Sequence, residues 1–139
     1  MNFVIGIVGA SRLLPEDEKP ATEIITGILS RYNPETAEVC SGGASGIDTL
    51  AAKVAKSLGF GVSVFLPKTQ SWETGFKPRN ILIAQYSNVV HSIALPLRSG
   101  GKSSCYHCSK SDKDNRHQVS GGCWTGKYHG EYTVHTLPL

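Results

Sequence analysis

Residues 40–48 read CSGGASGID, and this stretch decides which fold the chain can adopt. It joins an apolar run, AEVCS, to a segment in which apolar residues recur every three or four positions from Ile47 to Leu58. The first pattern predicts a short buried strand, and the second predicts an amphipathic helix. Glycine tolerates backbone angles that other residues avoid, and the first turn of a helix leaves N–H groups without partners. The junction therefore predicts either a tight turn or a cradle for an anion such as phosphate.

Strands and helices alternate on both sides of this junction. The patterns predict strands over 3–8, 37–41, 61–67, 88–95 and 132–137, and helices over 21–32, 47–58, 78–87 and about 122–129. This order predicts a parallel sheet that is covered by helices on both faces. We therefore expect an α/β protein with a Rossmann-like three-layer fold, a parallel five-stranded sheet and an insertion, 96–120, before the last helix.

Composition limits the remaining choices. The chain has 139 residues, of which 40% are hydrophobic and 18% charged, so we expect one globular domain over 1–139. The net charge of +3 is far from the dense basic stripe of a dedicated nucleic-acid binder, so we expect no nucleic-acid partner. No apolar run is as long as a membrane span, and MNFVIGIVGASR is typical of a first strand and not of a signal peptide. These features predict a cytoplasmic protein with no membrane partner.

Four loops follow predicted strands at their carboxyl ends, where ligands bind in open α/β sheets. The candidate ligand-binding residues in them are Gly9, Ser11 and Arg12, then Ser41, Gly42, Gly43, Gly46 and Asp48, then Arg79 and Asn80, and finally Gly121, Gly122 and Thr125. Small residues keep these turns slim, arginine can pair with phosphate, and main-chain N–H groups can surround an anion.

Each loop also has a purely structural interpretation. The turn GASR can be an ordinary connection with a surface arginine. Asp48 either forms a capping box with Ser45 or contacts ribose hydroxyls. Lys77 and Arg79 are cations at a predicted helix start, where the helix dipole disfavours them. Either an anion bridges these two side chains or both point into water.

Three segments together resemble the SLOG superfamily, which groups DNA-processing protein A and the "Lonely Guy" proteins with smaller nucleotide-binding relatives. They are SGGASGIDTLAAKVA, FKPRNILIAQYSNVV and the paired glycines followed by threonine near residue 121. The resemblance covers about residues 3–95 and 119–137. It implies a nucleotide-type ligand at the glycine turns and a homodimer. The first glycine motif corresponds to Gly42, Gly43, Gly46 and Asp48, the helix start to Arg79 and Asn80, and the second motif to Gly121, Gly122 and Thr125.

One position departs from the hydrolytic members of this superfamily. Those proteins resemble PGGxGTxxE, in which the glutamate lies three residues beyond the threonine. Here that position is Tyr128, and Cys123 and Trp124 replace the intervening residues. We therefore assign no catalytic residue.

The insertion and the glycine motif that follows it contain a cluster of metal-ligand residue types, Cys105, Cys108, His117 and Cys123. A pair of cysteines separated by two residues is the usual element of a structural zinc site, and a third cysteine and a histidine complete a four-ligand set. The alternative is a loop with free thiols. His107 is also available as the fourth ligand.

The preferred function is the binding of a nucleotide or a nucleotide-derived ligand, such as an ADP-ribose-like molecule or a nucleoside phosphate, at the glycine loops. One alternative is a hydrolase that cleaves an N-glycosidic bond. Another is an interaction module whose basic insertion contacts nucleic acid or protein.

Overall fold

The computed structural model describes residues 2–11, 13–94, 125 and 128–137. Its strands are β1 (Phe3–Gly9), β2 (Ala37–Ser41), β3 (Gly61–Val64), β4 (Val89–Ala94) and β5 (Tyr132–Thr136). Its α-helices are α1 (Glu18–Leu29), α2 (Ile47–Ser57) and α3 (Lys77–Tyr86). Within the described residues the strands form one sheet in the order β3-β2-β1-β4-β5, and all neighbouring strands are parallel. The predicted α/β fold with a parallel five-stranded sheet is confirmed.

The helices cover the sheet on both faces. Helices α1 and α2 bury Ile25, Leu29 and Ala51 against Ile5 and Ile7 of β1. On the opposite face, a smaller cluster joins Ile83 of α3 to residues of β1, β2 and β4, namely Val4, Val8, Cys40 and Val90. Alternate residues of β1 therefore serve the two cores, which explains the nearly continuous apolar run of this strand.

The strand order creates a topological switch point between β1 and β4. The chain runs outward from β1 to β3 and then returns to β4, which lies on the other side of β1. At the carboxyl ends, the Ala10 N–H donates to the Ile93 carbonyl at 3.1 Å, and the Ile47 N–H donates to the Ala10 carbonyl at 3.0 Å. The loops after β1 and β2 are therefore tied together at the position where ligands bind in such sheets.

Several predicted boundaries differ from the observed ones. Strand β3 ends at Val64 and not at residue 67, because β2 ends at Ser41, whose carbonyl accepts the Phe65 N–H, and the next residues have no partner strand in the described region. Helix α1 begins at Glu18, after a short 3-10 turn, and ends at Leu29. The segment before α3 was expected to be loop, but residues Trp72–Phe76 form a π-type turn.

Three histidines have structural partners. Nδ1 of His91 lies 3.0 Å from Nε2 of His135, so a hydrogen bond joins β4 to β5. The ring of His129 lies 2.9 Å from the Ser87 carbonyl and accepts the Glu131 N–H at the same distance. Since Nδ1 of His129 is the acceptor, its Nε2 carries the proton and donates to Ser87.

Among the described residues, no helix is both long and apolar enough to cross a membrane.

Candidate anion-binding site at the carboxyl edge of the sheet

The glycine loop between β2 and α2 requires glycine at its last position. Gly46 is the residue before the first turn of α2 and has φ 82° and ψ −129°, a conformation that residues with a side chain rarely adopt. A Cβ atom on Gly46 would also collide with the Ala10 carbonyl oxygen. The absence of a side chain lets the loop pack directly on the backbone that follows β1.

The predicted capping box is wrong. The Ser45 hydroxyl donates to the Ser11 carbonyl at 3.2 Å, and no side chain caps α2. Asp48 instead turns back toward the loop, where its Oδ2 accepts the Gly42 N–H at 3.0 Å. The Ser45 hydroxyl is used in this hydrogen bond because main-chain hydrogen bonds hold the loop after β2 against the loop after β1. The first turn of α2 is consequently left without a side-chain cap.

Gly42 is held between two charged side chains. Its N–H donates to Asp48, and its carbonyl accepts from Nη1 of Arg79. A Cβ atom on Gly42 would lie 2.6 Å from the Asp48 carboxylate and 2.7 Å from Nη1 of Arg79. Both side chains are almost fully buried, with 5% and 9% of their surface exposed. We call this arrangement of Gly42, Asp48 and Arg79 the clamp.

The clamp perturbs the protonation of its acid. Burial raises the pKa of Asp48 to about 6, and the opposing effects of the Arg79 charge and of the Ala44, Gly42 and Gly9 N–H groups offset only part of this increase. Burial also lowers the pKa of Arg79, while the Asp48 charge raises it. The Asp48 carboxylate is thus committed to the main chain of the loop. The predicted contact between this carboxylate and ribose hydroxyls stays a prediction.

The position of Arg79 differs from the sequence-based expectation for a helix start. The π-type turn leads directly into α3, so Lys77 and Arg79 lie inside a longer helical segment. Lys77 pairs with Glu73 at 3.8 Å. Arg79 donates through Nε to Asn80 at 2.8 Å and lies over the Phe76 ring, 5.5 Å from its centroid. The dipole conflict is therefore relieved without an anion that bridges the two cations.

The loop presents several main-chain donors that have no partner among residues 2–11, 13–94, 125 and 128–137. Within the part of the chain that the structure describes, no hydrogen bond is made by the N–H groups of Gly43, Ser45 and Gly46. Gly43 and Ser45 are exposed, Gly46 is half-buried, and Gly43 has a positive φ of 70°. These amides precede the positive end of the α2 dipole. Such an arrangement binds anions.

A cavity of about 330 Å³ lies beside the loop. It opens between the start of α1 and the first turns of α2, and Ser45 and Gly46 form part of its wall. Glu18, Lys53 and Leu13 also line it, and sequence reasoning did not identify these three residues. A signal was present for Lys53, which follows Thr49 by four residues and therefore lies on the same helix face.

The structure describes ten of the predicted ligand-binding residues and brings nine of them together at this edge. Direct contacts link Gly9, Ser41, Gly42, Asp48, Arg79 and Asn80, and the main chain of Ser11 contacts the Gly43–Gly46 part of the loop. Thr125 is buried, and its carbonyl accepts the Tyr128 N–H at 3.1 Å. Arg12, Gly121 and Gly122 lie outside the described residues, so the second glycine cradle stays a prediction.

The predicted zinc ligands, Cys105, Cys108, His117 and Cys123, also lie outside the described residues. The described part of the chain contains no group of three or more histidine, cysteine, aspartate or glutamate side chains that could hold a metal ion. Its cysteine, Cys40, is buried, and burial raises the pKa of its thiol to about 11. The zinc site in the insertion therefore remains a prediction.

Comparison with known proteins gives a distant structural likeness. No protein-family model matches the chain, and no curated protein matches it. A solved structure of DNA processing protein A from Helicobacter pylori is similar, with a TM-score of 0.46 and 20% sequence identity, over 86% of this chain and 73% of that chain. A likeness at this level concerns the fold alone, so membership of the SLOG superfamily stays a prediction.

The comparison corrects one sequence-based expectation. The Helicobacter pylori protein is described as binding single-stranded DNA in a unique mode. This finding contradicts our expectation that nucleic acid is not among the partners, and that expectation is withdrawn. The expectation was based on a net charge of +3 for the whole chain. A sum over all residues does not report the local potential of one loop or one edge of a sheet.

Proposed function

We propose that the carboxyl edge of the sheet binds a nucleotide unit through its phosphate group. The observation that carries this proposal is the set of N–H groups at Gly43, Ser45 and Gly46, which have no hydrogen-bond partner among the described residues and lie beside the amino end of α2. Main-chain donors at a helix amino end bind phosphate because they combine hydrogen bonds with the positive end of the dipole.

The clamp supports this role by fixing the loop without attracting the ligand itself. Asp48 and Arg79 carry opposite charges, and both bind the main chain of Gly42. Asp48 accepts from its N–H, and Arg79 donates to its carbonyl. Their charges largely cancel at a distance, so the attraction for an anion comes from the amides and the helix dipole. A loop that is rigid before the ligand arrives loses little conformational freedom on binding.

A phosphate of this kind can be presented by a free nucleotide or by a single strand of nucleic acid. The second presentation is included because the Helicobacter pylori protein is described as binding single-stranded DNA. The proposal itself rests on the geometry of the loop. Its main-chain N–H groups would contact only the phosphate, so these contacts are the same for a free nucleotide and for a nucleic-acid strand.

Calorimetric titration tests the proposal. We expect nucleoside monophosphates to bind and the corresponding nucleosides to fail to bind, because only the former carry the group that the amides recognise. A parallel titration with a 12-residue single-stranded oligonucleotide identifies the presentation. If the strand is the ligand, its affinity exceeds that of the mononucleotides and falls steeply with salt concentration.

The difference in affinity between a nucleotide and its nucleoside shows whether the phosphate group is recognised. Equal affinity for the two would contradict the proposal, as would the absence of binding by both mononucleotides and the oligonucleotide. A mononucleotide that binds as tightly as the oligonucleotide would identify the free nucleotide as the ligand.

A further inference from the structure

We propose that the 330 Å³ cavity beside the glycine loop receives the base of the bound nucleotide and selects guanine. This inference rests on the proposed function, because it assumes that the phosphate lies at the loop. It adds the identity of the base, which the phosphate contacts do not determine.

The cavity is placed correctly for a base. It shares Ser45 and Gly46 with the glycine loop, so a nucleotide whose phosphate contacts those amides has its base within reach of the cavity. A volume of about 330 Å³ is at the lower end of the range for small-molecule pockets, about 300 to 1,000 Å³. The cavity therefore suits one nucleotide and not a larger ligand.

The walls of the cavity are partly apolar. Leu13 and Leu50 line it, and both belong to or pack against the main core between the helices and the sheet. Side chains anchored in this way present a fixed apolar surface, against which a planar base can pack with its faces shielded from water.

Two charged residues lining the cavity supply the selectivity. Glu18 is the first residue of α1, and Lys53 lies in α2. Neither makes an ion pair with any residue that the structure describes. A carboxylate only accepts hydrogen bonds and an ammonium only donates them. The base that fits this pair has donors on one edge and acceptors on another.

Guanine matches this pattern better than the other bases. Its N1–H and N2 amino group are adjacent donors that can bind one carboxylate together, and its O6 and N7 atoms are acceptors for an ammonium group. Adenine offers its N6 amino group beside the N1 lone pair, so a carboxylate gains one hydrogen bond and faces a repulsive acceptor. Cytosine and uracil likewise offer a carboxylate a single donor group.

The hydroxyls in the cavity wall complete the site as acceptors. The Ser45 hydroxyl donates to the Ser11 carbonyl, and the Thr49 hydroxyl donates to the Ala44 carbonyl at 2.7 Å. Their protons are used within the protein, so toward the cavity these oxygens can accept. A sugar hydroxyl, which is a donor, can bind there between the base and the phosphate.

Titration of the protein with GMP, AMP, CMP and UMP tests the inference. We expect GMP to bind about five- to a hundredfold more tightly than AMP, the discrimination that good base-edge contacts give. Glu18→Gln keeps the shape of the side chain but replaces one acceptor oxygen by a donor. It should lower GMP affinity about tenfold and leave AMP affinity nearly unchanged, whereas Glu23→Gln, an exposed control on the same helix, should change neither.

The outcomes separate the two proposals. Equal affinity of the unmodified protein for GMP and AMP would overturn the guanine assignment while the phosphate site stands. The same conclusion follows if Glu18→Gln weakens both nucleotides alike. Failure of all four nucleotides and of the oligonucleotide to bind would overturn the phosphate site together with the base assignment.

Discussion

Replacing Gly42 by alanine is expected to weaken ligand binding at the glycine loop and to destabilise the protein. The added Cβ would lie 2.6 Å from the Asp48 carboxylate and 2.7 Å from Arg79 Nη1, both of which are buried. Neither side chain can move away without breaking its hydrogen bond to the loop. Overpacking of this kind costs about 1 to 3 kcal/mol of unfolding free energy. The displaced loop should lose nucleotide affinity by about tenfold or more.

A second glycine provides the matched control. Gly27 lies on an exposed part of α1, and a Cβ added there would meet nothing within 4 Å outside its own helix turns. Gly27→Ala should therefore raise the unfolding free energy by about 0.5 to 1 kcal/mol, because alanine favours the helix. Urea unfolding of both variants gives the comparison. A Gly42→Ala protein that is as stable as the unmodified protein and binds nucleotide normally would show that the clamp does not hold the loop.

The clamp is also expected to give a measurable dependence of stability on pH. The folded-state pKa of Asp48, about 6, lies above its ordinary value of 3.8, so the folded protein binds this proton more tightly than the unfolded chain does. The contribution of Asp48 to stability is therefore greatest below about pH 4 and declines as the pH rises through 6. The difference corresponds to about 3 kcal/mol.

His91 opposes this trend over an overlapping range of pH. Burial, together with the nearby charges of His135 and Arg31, lowers the pKa of His91 from 6.5 to about 4. Its contribution is fully present above pH 6.5 and is lost as the pH falls toward 4, which is the opposite direction. Changes in the unmodified protein are therefore expected to cancel in part, and a comparison of variants is needed to isolate Asp48.

The variant Asp48→Asn isolates the carboxylate because it retains an acceptor oxygen for the Gly42 N–H and removes the titration. We expect its stability relative to the unmodified protein to increase by about 2 kcal/mol between pH 4 and pH 7, because at pH 4 part of the full effect of about 3 kcal/mol has already been lost. Chemical denaturation at several pH values gives this difference directly. A difference that stays constant between pH 4 and pH 7 would contradict the raised pKa and with it the buried position of the carboxylate.

Much of the fold follows from local sequence patterns. The apolar run of β1 and the three- and four-residue periodicity of α1 and α2 predict the elements, and their alternation predicts the parallel sheet. The edge strand β3 was predicted to be too long because strand length there depends on the neighbouring strand, which ends at Ser41. The turn before α3 was missed because its order comes from hydroxyl contacts among Thr69, Ser71 and Thr74, which have no periodic signature.

The sequence identified many residues of the candidate site but not the hydrogen bonds that their side chains make. Glycine density identified the loop, yet the role of Asp48 depends on which way a buried carboxylate turns, and a sequence does not specify this. The same applies to Arg79, whose partner Gly42 is 37 residues away in the chain. Glu18 and Lys53 were missed because they lie on different helices and are related only by lining the same cavity, which local sequence patterns do not reveal.

The central claim is that phosphate binds at the main-chain N–H groups of Gly43, Ser45 and Gly46. The most direct measurement is a series of two-dimensional ¹⁵N–¹H NMR spectra recorded while labelled protein is titrated with GMP and, separately, with inorganic phosphate. We expect the amide resonances of these three residues to show the largest shifts in both titrations and to follow the same binding curve as the heat of binding. Saturation of the protein by GMP while these three amides remain unshifted would contradict the claim.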